Sequence, residues 1–375
     1  MDDLHVSEFT RRDFLANSAK LCLGIALSSV IAGCRTAEPV SDEPSPEPER
    51  DEPTPDVEEP VELVPEFEAG YLELHRTGEL AERAEALWAM MGSCQLCPRR
   101  CGVNRLGGVS GFCHAPGTGL IVSGAHAHFG EERPLVGRGG SGTIFFSHCN
   151  LRCVFCQNYT ISHLGRGAER SIDELAEMML RLQRGGCHNI NVVTPTHYLP
   201  HIAKALDVAA SKGLWLPVVY NTSGWERMEM LTLLDGIVDI YLPDFKYWDS
   251  EMAAKYSARA ESYPEMTRDA ILEMHRQVGV AKPGVGSLKR GLIIRHLVMP
   301  NDVGGSERVM EWIAEELPKD TYVNIMAQYT PAHRAYDFPD ISRRITGEEY
   351  ERVVERAEDL GLTNLDVQAY WWLQN

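Results

Sequence analysis

The placement of cysteine constrains this chain more than any other feature. Its 375 residues hold ten cysteines, at Cys22, Cys34, Cys94, Cys97, Cys101, Cys113, Cys149, Cys153, Cys156 and Cys187. Seven of them form two short clusters whose spacing suits metal ligation better than disulfide staples. Cys149, Cys153 and Cys156 read C-x3-C-x2-C, in a loop directly after a predicted strand. Three thiolates at that spacing wrap a small metal core and leave it one ligand short. A [4Fe–4S] cluster held this way keeps one iron open to a substrate or cofactor. The alternative is a structural zinc knuckle with His148 or His163 as fourth ligand. Upstream, Cys94, Cys97, Cys101 and Cys113 read C-x2-C-x3-C-x11-C. Four thiolates close a tetrahedral zinc site or fill a second iron–sulfur cluster, and spacing alone does not choose. Reduced or disulfide-paired thiols remain a third reading of that set. A full disulfide framework would have to pair strained, closely spaced cysteines across the clusters, Cys187 included. Cys187 reads instead as a small buried hydrophobe.

From residue 142 onward, strand-like and helix-like stretches alternate. Strands are expected at 142–147, 189–194, 216–221, 238–242, 291–299, 322–328 and 365–370. Runs such as Ile190-Asn191-Val192-Val193 are rich in β-branched residues and suit strands covered on both faces. Ser171-Ile172-Asp173-Glu174 is a capping box opening an apolar-periodic helix to Leu182. A further helix is expected over 71–90. Repeated β–α alternation implies an α/β fold with a parallel sheet, and the number of units favours a full or partial (β/α) barrel. In that architecture the chemistry sits where strands end. The polar residues of interest all follow predicted strands.

The stretch Gly142-Thr143-Ile144-Phe145-Phe146-Ser147-His148-Cys149-Asn150-Leu151-Arg152-Cys153-Val154-Phe155-Cys156 resembles the radical S-adenosylmethionine (SAM) enzymes, in the group similar to pyruvate formate-lyase activating enzyme. The resemblance runs roughly over residues 92–360 and includes Asn191–Val192–Val193–Thr194–Pro195–Thr196–His197, the segment at 219–223, the segment at 239–247 and the segment at 295–300. It implies that Cys149, Cys153 and Cys156 hold a [4Fe–4S] cluster whose open iron chelates SAM. Reductive cleavage of SAM would then give a 5′-deoxyadenosyl radical that abstracts hydrogen, with an external electron donor required. The substrate is not named by the sequence; a protein glycine, a small molecule and a peptide would all use the same loop. Family members carry a Gly-Gly-Glu-Pro-type segment after the second strand to hold the SAM amino group. Here Thr194-Pro195-Thr196-His197 stands there without the glutamate, so the hydroxyls of Thr194 and Thr196, or the carbonyls, are the expected acceptors. Asn221 and Ser223 are expected near ribose or the SAM carboxylate. Asp244 and Lys246 are expected at ribose hydroxyls and the carboxylate, and Phe155 at adenine. Arg295 and His296 alternate faces, so at most one points inward. The rival reading from another class is a non-catalytic, lipid-anchored iron–sulfur or zinc binding module on the same scaffold.

The N-terminal region is an address and a tether. Thr10-Arg11-Arg12-Asp13-Phe14-Leu15 resembles the twin-arginine export motif, and the apolar stretch 21–33 is too short to cross a bilayer. Ile31-Ala32-Gly33-Cys34 looks like a lipobox, which makes Cys34 the expected lipidation site. Net charge is −18, and residues 38–68 hold 13 acids against Arg50 alone. That balance excludes a generally basic nucleic-acid binder. With eight prolines between Pro39 and Pro65, the acidic stretch cannot bury enough apolar surface to fold. The expected organisation is a signal peptide over 1–33, an acidic linker over 34–69, a helix with a Cys-rich metal-binding extension over 70–135, and the barrel over 136–375. The expected location is a membrane-anchored lipoprotein facing the periplasm or the exterior.

Overall fold

The computed structural model describes residues 67–282 and 287–368. The expected signal peptide, Cys34 and the linker up to residue 66 lie outside the described residues, as do 369 and 370 of the last expected strand. The described residues belong to one compact unit. Its strands are β1 (Leu120–His128), β2 (Ser141–Phe146), β3 (Ala168–Arg170), β4 (Ile190–Val193), β5 (Val218–Thr222), β6 (Ile240–Pro243), β7 (Gly291–Leu297), β8 (Tyr322–Met326) and β9 (Leu365–Val367). They form one sheet in the order β3-β1-β2-β4-β5-β6-β7-β8-β9. Each neighbour pair from β2 through β9 is parallel. β1 and β3 run antiparallel at one side. Of the two barrel forms expected, the described strands make the partial one, because β3 and β9 are edges and do not pair.

Alternation along each strand divides the sheet into two faces. Ile144, Val192, Tyr220, Tyr241, Leu292 and Ile294 join the large core shared with the helices. Val219, Ile240, Leu242, Ile293 and Tyr322 form a smaller apolar cluster on the opposite, inner face, closed by Leu135 and Leu288. Two residues further along these strands, the same parity brings Asn221, Asp244 and Arg295 to the inner face, where apolar packing gives way to charge.

Helix 172–184 starts as its sequence dictates. Ser171 Oγ accepts from the Glu174 N–H at 3.1 Å, and Glu174 Oε2 accepts from the Ser171 N–H at 2.8 Å. The single helix expected over 71–90 is divided. Helices Gly70–Thr77 and Glu79–Ala89 meet at Gly78, whose φ of 83° no side-chain-bearing residue adopts cheaply. β1 and β3 were not expected. β1 lies on the extension side of the expected boundary at 135/136, yet it pairs with β2 over Val122 to His128, so the extension and the parallel strands share one sheet.

Candidate metal and cofactor site

The loop that carries Cys149, Cys153 and Cys156 leaves the end of β2 and runs to the short helix Tyr159–Ser162. Two left-handed residues, His148 (φ 71°) and Arg152 (φ 56°), fold it back on itself just ahead of the first and second cysteines. All three thiols are free, and each lies in the electrostatic field of the others. Each sulfur also meets a hydrogen-bonding group. The Leu151 N–H donates to Cys149 Sγ at 3.4 Å, Ser257 Oγ donates to Cys153 Sγ at 3.0 Å, and Ser162 Oγ lies 3.1 Å from Cys156 Sγ. Burial pushes the Cys153 thiol up to about 12 and the Cys156 thiol up as well. Among the described residues no three His, Cys, Asp or Glu side chains form a ready-made single-ion cage. His163, the expected fourth zinc ligand alongside His148, has its Nε2 3.0 Å from the Cys153 carbonyl.

Beside the loop stands a half-buried ionic network. Arg295 Nε donates to Asp244 Oδ1 at 2.7 Å, Arg295 Nη2 to Asn221 Oδ1 at 2.7 Å, and Lys246 Nζ to Asp244 Oδ2 at 2.5 Å. Burial alone would raise the Asp244 carboxyl, but Arg295 and Lys246 outweigh it and hold it below its ordinary value. Burial likewise works against the Lys246 ammonium, and Asp244 with Cys153 turns the balance upward. Lys246 therefore links the network to the cysteine loop. Of the alternating pair on β7, Arg295 is the inward one. His296 faces the helices, with Nδ1 2.6 Å from the Phe245 carbonyl and Nε2 2.8 Å from Ser306 Oγ.

Residues 143–302 match the sequence pattern of the family described as the radical SAM superfamily. The uncharacterized protein MJ0674 of Methanocaldococcus jannaschii is 33% identical over 306 residues, covering 79% of this chain and 83% of that protein. MJ0808 of the same organism, likewise uncharacterized, is 23% identical over 266 residues, 66% of this chain and 73% of that protein. The chain belongs to the radical SAM superfamily. Two solved structures are similar at a low level. One is anSMEcpe with bound AdoMet and Cp18Cys peptide, with TM-score 0.41, 13% identity, and coverage of 57% of this chain and 56% of that one. The other is methylornithine synthase (PylB), with TM-score 0.38, 11% identity, and coverage of 80% and 83%.

Radical SAM membership implies a [4Fe–4S] cluster and SAM, and the donor set suits the cluster. Three sulfurs on one loop, each beside a hydrogen-bonding group, match what tunes iron–sulfur centres. Phe155 is buried and packs edge-on to Tyr247 and Tyr329, with ring centroids 6.3 and 5.9 Å apart. Asn221, Asp244 and Lys246 stand together with Arg295. Ser223 follows β5 with its hydroxyl buried and unpartnered. Thr194 ends β4 in a left-handed turn (φ 58°), its N–H donating to the Asn221 carbonyl at 2.9 Å. Thr196 is apart from these. It is buried in the turn Thr196–Tyr198, and its hydroxyl donates to Glu226 Oε1 at 2.6 Å.

Glu226 is a residue that sequence reasoning missed. Burial pushes its carboxyl up to about 7, against the pull of hydrogen bonds from Thr196 and Thr222. It lies behind the very segment where a family glutamate was expected and absent. Its Oε2 has no partner. Arg295, Glu131 and Glu132 were also not assigned roles. They line an inner-face cavity of about 430 Å³ together with Asn324, Gln328 and Asp366. Glu132 Oε2 and Asn324 Oδ1 are buried there without partners, so the cavity offers acceptors to an incoming donor group.

Cys94, Cys97 and Cys113 are buried and Cys101 half-buried, all four free and in one another's fields. Cys187 is buried in the core.

Proposed function

We propose that this chain is a radical SAM enzyme of the activating-enzyme type that abstracts hydrogen from a protein substrate. The observation that carries the reading is the loop 149–156, with three free thiols on one turn and a hydrogen-bonding group at each. On this reading Cys149, Cys153 and Cys156 hold the [4Fe–4S] cluster, and cluster and SAM together supply a 5′-deoxyadenosyl radical once one electron arrives from a donor. Lys246, held between Asp244 and the cysteine loop, orients the carboxylate end of SAM, and Asn221 and Ser223 stand at its ribose. Phe155 gives adenine an aromatic wall. The inner-face cavity beside Arg295 takes the group that loses hydrogen. The cofactor set is completed by a second centre at Cys94, Cys97, Cys101 and Cys113, zinc or a further iron–sulfur cluster.

The same proposal has the chain exported by the twin-arginine route and anchored by lipid at Cys34. It is supported by the order of Arg11-Arg12, the apolar stretch and the lipobox, followed by the acidic linker. No helix of the described residues is long and apolar enough to cross a membrane.

Anaerobically purified and reduced with SAM present, the protein is expected to release 5′-deoxyadenosine, and Cys149→Ala is expected to abolish it. Deuterium appearing in that product from a labelled protein glycine would identify the substrate class. A cluster-loaded chain that yields no 5′-deoxyadenosine with any reductant would overturn the reading in favour of a lipid-anchored metal-binding module.

A further inference from the structure

The segment before the sheet folds as a compact knuckle. The Cys94 N–H donates to the Val103 carbonyl at 2.9 Å, the Gly102 N–H to the Cys94 carbonyl at 3.0 Å, and the Arg100 N–H to the Cys97 carbonyl at 3.0 Å. The Phe112 N–H donates to Cys101 Sγ at 3.5 Å. Burial raises the Cys97 and Cys113 thiols, and the backbone at Arg99 and Ala115 pulls against it. Four free thiols on one hydrogen-bonded knuckle are the donor set of a thiophilic metal.

Charge points the same way. Two guanidiniums flank the four thiols, Arg99 in the field of Cys97 and Cys101, and Arg105 in the field of Cys113. Arg105 is fully buried, and its Nε has no partner. Every hydrogen bond recorded for the two side chains ends on a backbone carbonyl. Buried cations need counter-charge. Four thiolates around a doubly positive ion or core leave a net charge of about −2, the usual state of four-thiolate zinc, and the two arginines balance it.

Arg99 also reaches the other cysteine loop. Its Nε donates to the Asn150 carbonyl at 3.0 Å, Nη1 to Ala258 at 2.7 Å, and Nη2 to Ser257 at 3.2 Å. Phe112 and Trp225 hold the guanidinium by their rings, 4.0 and 4.7 Å from its carbon. The segments it grips supply the hydrogen bonds to the first set of sulfurs, since Leu151 donates to Cys149 and Ser257 to Cys153.

We infer that Cys94, Cys97, Cys101 and Cys113 hold a second thiophilic metal centre, and that this centre seats Arg99 as a positioning residue for the first cluster. The inference rests on the proposed cluster at 149–156. Metal at the knuckle fixes the turn bearing Arg99, and Arg99 fixes the donors at Cys149 and Cys153. Losing those donors makes the reduced, more negative cluster harder to form, so its potential falls.

The test uses the full chain, reconstituted with iron and sulfide, with zinc measured in parallel. A variant with Cys149, Cys153 and Cys156 all changed to Ala is expected to keep metal, as zinc or as iron with sulfide. A metal-free triple variant overturns the second centre. Cys97→Ser with Cys113→Ser is expected to remove that metal. If this pair removed all metal while the triple variant matched wild type, the cluster at 149–156 would be the reading that fails. Arg99→Ala is expected to keep the second metal while lowering the first cluster's midpoint potential and weakening its iron retention by about 10-fold or more. Wild-type potential and retention in Arg99→Ala, or full recovery in Arg99→Lys, which keeps the charge without the fork, overturns the positioning role.

Discussion

Glu226 sets a pH dependence that no exposed acid could. Its carboxyl titrates near 7 in the fold because burial disfavours the charge, and at an ordinary 4.5 in the unfolded chain. Between those values the unfolded chain has released a proton that the folded chain keeps. This contribution is therefore fully present below pH 4.5 and is lost as pH rises toward 7. The ceiling on the loss is about 3 kcal/mol. Glu226→Gln should remove it. Urea unfolding at a series of pH values should show wild type losing ground to the variant between pH 5 and 7, and a parallel pair of curves would refute the assignment. Asp244 is the reverse case. Held ionised by Arg295 and Lys246, it cannot be neutralised without leaving two half-buried cations beside each other. Asp244→Asn should cost about 3 kcal/mol in unfolding free energy. A change within a few tenths would mean that water reaches the network. Cysteines were legible at this scale because metal-ligand spacing is local in sequence. Glu226 was not, because nothing in Trp225-Glu226-Arg227 announces that Thr196, 30 residues earlier, will bond to it.

Elements were readable where burial is two-sided. β4 and β7 read as runs rich in β-branched residues because both faces are covered, and the other parallel strands were anticipated from the alternation of strand-like and helix-like segments. β1 escaped notice because only Leu120 and Val122 of its nine residues are buried, and its remainder, Ser123 to His128, carries small and polar residues. β3 has three residues, none of them buried. The start of helix 172–184 was legible through its capping box, and the last helix carries a second one that went unread. At the last helix, Gly347–Asp359, Thr346 Oγ1 accepts from the Glu349 N–H at 3.2 Å and Glu349 Oε2 accepts from the Thr346 N–H at 2.8 Å. Glu349 Oε1 also takes the Asn301 N–H at 2.8 Å, joining this helix start to the segment after β7. Arg343 above all, with these backbone donors, holds the Glu349 carboxyl down at about 2. Thr346→Ala should cost about 1 kcal/mol, read as a lower urea midpoint with unchanged slope. An unaltered midpoint would show that Glu349 alone secures the helix start.

At the scale of the whole chain, export and chemistry make a joint demand. Under the proposed function, a cluster-bearing enzyme must leave the cytoplasm with its cofactor in place. Changing Arg11 and Arg12 to Lys should retain a soluble, iron-loaded precursor in the cytoplasm, whereas Cys34→Ala should permit passage without lipid. Fractionation with N-terminal sequencing separates the two, and a double-Lys chain processed at Cys34 as in wild type would refute the route. Sequence alone determined the alternation of strands and helices, the cysteine spacings and the acidic, proline-rich composition of residues 38–68, because each depends on neighbours within a few residues. Only the tertiary structure decided that Arg295 faces inward to meet Asp244 and Asn221, from 51 and 74 residues away. It alone decided that Arg99 crosses to Asn150, 51 residues on, and to Ala258, 159 residues on. Those contacts join segments whose separation along the chain carries no periodic or compositional trace. Charge meets charge across the inner face because apolar packing fixes the strands that carry it, and that packing is set in three dimensions.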